Sequence, residues 1–186
     1  MQFLDDSLLP ENQQPLVIQV APYGPQFLPS DCDDIPLTMA EQVQEAVDCW
    51  NAGATVLHVH VREADGCGSK RLSMFNEMLA RLRDAVPEML LQVGGSISFA
   101  PEGEGAQAKW LSDDTRHMLA ELDPRPDQVT IAINTNQMNI CELLSADDVA
   151  GTSLANPALQ EAYREMTIPS GPAFVAEHLE RLQANG

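Results

Sequence analysis

Residues 55–62 read Thr-Val-Leu-His-Val-His-Val-Arg. Apolar and polar side chains alternate through this run, which is the period of a β-strand. Residues two apart on a strand share a face. Leu57, Val59 and Val61 therefore line one face, and His58, His60 and Arg62 the other. The Cα atoms of His58 and His60 should lie about 6.5–7 Å apart. Two imidazoles so placed can grip one ion from adjacent corners of its coordination shell, and neutral imidazole suits zinc. A pair of hydrogen-bonded or exposed histidines is the plainer alternative.

The flanking sequence decides what kind of sheet this strand joins. Upstream, LVIQVA (residues 16–21) is a short apolar run ended by Pro22-Tyr23-Gly24-Pro25, and it reads as a buried strand. Thr38-Met39-Ala40-Glu41 has the form of a capping box. The helix that follows should bury Met39, Val43, Val47 and Trp50 and stop at Gly53. Downstream, Ser73 can cap a helix with the stripe Phe75, Leu79, Leu82 and Val86, ended by Pro87. A third strand is expected at Met89–Val93, running into Gly94-Gly95-Ser96. Residues 99–108 are Gly-rich and acidic and read as a mobile loop. Ser112 can cap a short helix to about Leu122, and QVTIAI (residues 128–133) is a fourth strand. An irregular stretch, 134–154, precedes helical pattern at 158–165. A last helix, capped by Ser170, should carry Phe174, Val175, Leu179 and Leu182.

Alternation of strand and helix implies a parallel sheet covered by helices. The expected class is α/β, of the (β/α)8 TIM-barrel type, with about the first four βα units present. A closed eight-stranded barrel takes about 250 residues. The expected organisation is a loose arm over residues 1–14 and the N-terminal half of a βα barrel over 15–186. Asn185-Gly186 reads as a helix C-cap, after which a fifth strand is expected.

Composition sets outer limits. The 186 residues are 44% hydrophobic, enough for one packed core, and carry a formal net charge of −18. Such a chain repels nucleic acid, which excludes a broad duplex-binding face. No segment approaches the roughly 20 apolar residues of a membrane span. The N-terminus lacks the basic n-region of a secretory signal. Cys32, Cys49, Cys67 and Cys141 include no Cys-x-x-Cys pair and read as reduced thiols. The expected compartment is cytoplasmic, without nucleic-acid or membrane partners.

In parallel βα folds the active face is built at the C-terminal strand ends. Besides the two histidines, that face should hold Gly94, Gly95 and Ser96, whose backbone a substrate can approach, and Asn134 and Thr135 after strand four. A turn or helix cap would explain either stretch equally well. A catalytic zinc site usually has three protein ligands. Glu63, Asp65 and Asp31 are candidates for the third, none with compelling spacing. His117 and His178, in helical segments with polar neighbours, read as surface residues.

The runs LVIQVAPYGPQFLPSDCDDIPLT, EAVDCWNAGATVLHVHVREADGCGS and LLQVGGS, and above all Ala52–Gly66 with its spacing AGA-x-x-x-H-x-H-x-R-x-x-x-G, resemble the β-keto acid cleavage enzyme family. The likeness covers roughly residues 16–136. It implies a zinc-dependent barrel that condenses a β-keto acid with acetyl-CoA, giving acetoacetate and a new acyl-CoA. It implies that His58 and His60 are zinc ligands and that a glutamate outside this chain is the third. Two departures stand out: Gln26 where the family often has an acid, and Gly94 where it often has a serine. Two other readings stay open. One is an amidohydrolase-like metal hydrolase, although there the His-x-His pair belongs on the first strand. The other is an inactive half-barrel that binds or assembles. An open half-barrel exposes strand edges, so a homo-oligomer is expected.

Overall fold

The computed structural model describes residues 16–24, 28–94, 99–131, 136–138, 142–164 and 166–186. The anticipated arm over residues 1–14 lies outside them, as do Gln26, Gly95, Ser96, Asn134, Thr135 and Cys141.

The chain runs β1 (Gln19–Val20), α1 (Met39–Asn51), β2 (Val56–Val59), β3 (Val61–Arg62), β4 (Gly68–Ser69) and α2 (Leu72–Ala85). It continues through β5 (Leu90–Val93), β6 (Phe99–Ala100), β7 (Lys109–Trp110), α3 (Asp113–His117) and β8 (Gln128–Val129). Last come β9 (Asn136–Met138), α4 (Pro157–Arg164), β10 (Met166–Ile168) and α5 (Pro172–Asn185). The main sheet has the order β1-β2-β5-β8, and every pairing in it is parallel. This is the α/β arrangement the strand–helix alternation predicts.

The sheet has two unlike faces. Leu57 and Val59 on β2 and Leu91 and Val93 on β5 are buried in one core with Phe75, Met78, Leu79 and Leu82 of α2. The apolar stripe of α2 falls at helical spacing, so one face of that helix covers the sheet. Helix α1 forms the predicted capping box between Thr38 and Glu41. Its inner face is centred on Gln42 and Ala46, with Met39, Val43, Val47 and Trp50 half-buried beside them.

Several local expectations are corrected. Only Gln19 and Val20 of the first apolar run enter the ladder, because β1 is an edge strand among the described residues. Leu16, Val17 and Ile18 are exposed. The 55–62 run is broken at His60. Val61 and Arg62 leave the main sheet and pair antiparallel with Ser69 and Gly68. Helix α2 starts after Arg71 with no side-chain cap, so Ser73 does not cap it. Ser170 does not cap α5 either. Gly171 is the N-cap with Pro172 behind it, while the Ser170 hydroxyl accepts from the Arg116 guanidinium. The acidic 99–108 stretch is closed at its mouth by the antiparallel pair β6–β7, and the supposedly irregular stretch contributes β9, paired with β10.

The largest correction concerns His117 and His178. Both are buried, and their Nδ1 atoms lie 3.0 Å apart. Helix α5 turns Phe174 and His178 inward, leaving Leu179 exposed. The His117 ring stacks on Phe174, and the Arg116 guanidinium lies 3.9 Å from the centre of the Phe174 ring. The Nδ1 contact requires one imidazole to donate and the other to accept, so the pair must not be doubly protonated.

Burial holds both histidines below the ordinary imidazole range, with Arg181 and Arg116 acting in the same direction on each. Glu177 and Asp113 oppose this at His117. The depressed folded-state pKa means that the unfolded chain takes up protons first as pH falls. The pair's contribution is thus fully present above about pH 6.5 and declines below it. Thermal melts should show Tm falling between pH 7.5 and 5.5, before most carboxylates titrate. His178→Phe keeps the stack and should flatten that fall. An unchanged slope in His178→Phe would refute the role of the pair.

Candidate functional site

The site lies on the polar face of the main sheet. His58 of β2 is opposite Gln92 of β5, which is opposite Gln128 of β8. Gln19 stands on β1 beside Val56. Their amides form one chain: Gln19 Nε2 donates to Gln92 Oε1 at 2.7 Å, and Gln92 Nε2 donates to Gln128 Oε1 at 3.0 Å.

That chain fixes the tautomer of His58. Its Nδ1 lies 2.7 Å from Gln92 Oε1, which can only accept. Nδ1 therefore carries the proton, and Nε2 is left as a bare lone pair when the ring is neutral. An orienting partner on the far nitrogen is the usual support of a metal-binding imidazole. Gly94 completes the seat. A Cβ at that position would stand 2.6 Å from His58 Cε1 and would also strike Thr130. The departure at residue 94 therefore has a physical counterpart: any larger side chain competes with the imidazole for its space.

His60 packs edge-on against His58, with ring centroids 4.7 Å apart. It is buried, and its Nδ1 has no hydrogen-bond partner. Burial, followed by the nearby charges of Lys70, His58 and Arg62, pushes its pKa down to about 3. It is thus held neutral, the form in which imidazole binds a metal. A hydrogen-bonded core histidine would not leave a buried ring nitrogen idle. The two rings, one oriented by Gln92 and the other with an unsatisfied nitrogen, fit a pair of metal ligands.

The rest of the Ala52–Gly66 block is a scaffold for this pair. Gly53 adopts φ +101° to end α1, and the Gly66 backbone, at φ +83°, sits too close to Pro29 for a side chain. Arg62 is buried and donates to the carbonyls of Gly66 (2.6 Å) and Gly24 (2.5 Å), tying two loops together.

None of the three candidate third ligands joins the histidines. Arg71 grips Glu63 with two bonds of 2.8 Å, and Ser69 adds a third. Asp65 accepts from the Cys67 amide, and Asp31 accepts from Leu28 and Ser153. Among the described residues no three His, Cys, Asp or Glu side chains form a metal-binding group. The structure brings His58, His60 and Gly94 together. Sequence reading missed Gln92 and Lys70. Lys70 is 2% exposed, donates to the Gly94 carbonyl at 3.3 Å, and is lowered by burial to about 8. A signal for Gln92 was present, since LVIQVA and MLLQV each place one glutamine in an otherwise apolar strand and QVTIAI begins with one.

Comparison with known proteins adds to this geometry. The family model for beta-keto acid cleavage enzyme matches residues 15–186. A 3-keto-5-aminohexanoate cleavage enzyme of Acetoanaerobium sticklandii is 31% identical over 58% of the chain and 38% of its own length. A 3-oxoadipate:acetyl-CoA acetyltransferase of Cupriavidus necator is 32% identical over 48% of the chain and 36% of its own length. A 3-dehydrocarnitine:acetyl-CoA trimethylamine transferase of Rhizobium meliloti is 31% identical over 81% and 52%. The chain thus spans about half or less of the length of these relatives.

Gln92→Leu should free the His58 ring and lower zinc affinity about 10–100-fold, measured by titration against a competing chelator. Gln92→Glu keeps the acceptor on Nδ1 and should retain most of that affinity. Gly94→Ser should weaken zinc binding through displacement of the His58 ring. If the leucine variant binds zinc as tightly as the parent, Gln92 does not orient the ligand.

Proposed function

The chain belongs to the β-keto acid cleavage enzyme family, and on that premise we propose that it carries the metal-binding half of such an enzyme's active face. The observation that carries this reading is the adjacency of His58 and His60 on the polar side of a parallel sheet, with His58 oriented by Gln92. We assign the two imidazoles as zinc ligands and place the third ligand outside the described residues. Zinc bound there would supply Lewis acidity to the keto and carboxylate oxygens of the substrate.

The reaction we assign is condensation followed by cleavage. C2 of the β-keto acid loses a proton and attacks the acetyl carbonyl of acetyl-CoA, which expels the CoA thiolate. The thiolate then attacks the original 3-keto carbon. Cleavage of the C2–C3 bond releases the new acyl-CoA and leaves the C2 carbanion of acetoacetate, which takes back a proton. His58 and His60 contribute neutral, preoriented nitrogens, and Gly94 leaves the space that the His58 ring occupies. Gln26, Gly94, Gly95, Ser96, Asn134 and Thr135 are proposed as substrate contacts. No helix among the described residues is long and apolar enough to cross a membrane. We place the enzyme in the cytoplasm, as an assembly in which β1 and β8, the edge strands among the described residues, are covered by further strands or a second copy.

The test is a zinc-loaded preparation given acetyl-CoA and a panel of β-keto acids, with acetoacetate and acyl-CoA read by mass spectrometry. Stoichiometric zinc and turnover, both lost in a His58→Ala, His60→Ala double variant, are expected of an assembly that completes the ligand set. The chain as a monomer should give no turnover. Zinc content equal in parent and double variant would remove the assigned site. Turnover by the monomer would show that the third ligand lies within this chain.

A further inference from the structure

Lys70 is an anomaly that the proposed chemistry leaves unused. Its side chain is buried, yet among the described residues no carboxylate pairs with its ammonium. Three N–H donors are available, and one reaches a backbone carbonyl, that of Gly94, at a long 3.3 Å. The Phe75 ring face lies 5.2 Å away. A buried charge is ordinarily paired, because desolvation alone costs several kcal/mol per ion.

The local backbone shows that the inward position is built. Ser69 and Arg71, the two neighbours of Lys70, both turn to Glu63 and clamp it between them. Arg71 is extended, with φ −75° and ψ 122°. Side chains alternate along extended backbone, so fixing residues 69 and 71 on Glu63 drives residue 70 to the opposite side. There it meets the end of β5, beside the seat of His58. The Glu63 carboxylate is thereby engaged by Arg71, while Lys70 and Arg62 both bear on His60 as positive charges. In a chain of formal charge −18, this is a net-positive interior.

We propose that Lys70 binds the carboxylate of the β-keto acid, supplying from the end of β5 the counter-charge that the unpaired ammonium lacks. The assignment rests on the proposed function for the identity of the substrate, but the anion site itself does not require a metal. A small monoanion is the fitting occupant. An ammonium this enclosed admits a carboxylate more readily than the bulky pyrophosphate of CoA. The binding step neutralises a buried charge and transfers no atoms.

The experiment compares acetoacetate with methyl acetoacetate, its neutral ester, by calorimetric or NMR titration of the chain with zinc removed by chelation. The parent should prefer the carboxylate. Lys70→Met should weaken acetoacetate about 10–100-fold, the scale of a hydrogen bond to a charged group, and leave the ester within about twofold. Lys70→Arg should keep a preference for the carboxylate. Lys70→Met should also melt no lower than the parent at neutral pH, because it removes an unpaired buried charge. A lower Tm with unchanged discrimination would show Lys70 to be a structural tie to Gly94 and overturn the proposal. So would a parent that binds acid and ester alike. In the His58→Ala, His60→Ala variant the carboxylate preference should persist. Loss there, with Lys70→Met unaffected, would place the anion on the histidines instead. Failure of the zinc and turnover assay, with the Lys70-dependent preference intact, would leave the anion site standing and remove only the metal chemistry.

Discussion

The alternation of side chains across one parallel sheet is the constraint on which the rest depends. Because successive residues face opposite ways, the strand that places Leu57 and Val59 under α2 must place His58 on the other side. The same rule puts Leu91 and Val93 into the core and Gln92 beside His58. A slip of one residue at β2 would bury the imidazole beneath the helix and expose the leucine. Core packing of Leu57, Leu91, Phe75 and Leu79, all fully buried, therefore sets the register of the site. Each such side chain contributes about 1.5–3 kcal/mol on burial, far more than a hydrogen bond between glutamines. The apolar face fixes the frame, and the glutamine chain adjusts one ring within it.

Much of this frame was legible. The four main-sheet strands, the helices between them and the capping box at Thr38 all follow from apolar periodicity and local chemistry. What escaped has a common physical cause. Ladders of two or three residues, such as β6–β7 and β9–β10, carry no periodic signal and are set by tertiary contact alone. His117 and His178 looked like surface residues because α3 has five residues, too few to define a face, and because the packing of α5 onto it lies outside local pattern. Lys70 sits in the polar string Cys-Gly-Ser-Lys-Arg, where an exposed lysine is the ordinary reading. Only the shared attachment of Ser69 and Arg71 to Glu63 turns it inward.

The chain's acidity and its positive interior are two sides of one electrostatic design. Surface carboxylates are solvated and individually contribute little. Around the histidine pair the charges are few and fixed: buried Arg62 on two carbonyls, buried Lys70 on one, and half-buried Glu63 held by Arg71. Burial is the first cause that keeps His60 neutral, and the weakly screened charges of Lys70 and Arg62 add to it despite the excess of acid outside. A neutral imidazole beside two cations is costly to protonate, which keeps its nitrogens available over the whole physiological range.

The same arrangement explains why the exchange of a serine for Gly94 need not be a loss. A serine hydroxyl at the end of β5 could offer a hydrogen bond to a ligand, but its Cβ would occupy the space taken by His58 Cε1. Glycine lets the imidazole lean toward β5 and leaves the carbonyl of residue 94 open to Lys70. The polar group at that corner is then a cation, held at the end of the strand that carries Gln92. A cation there favours a charged carboxylate over a neutral hydroxyl or amide partner. Residues 70 and 94 thus act as one unit, since a larger residue 94 would move the ring that Gln92 orients and alter the carbonyl on which the ammonium rests.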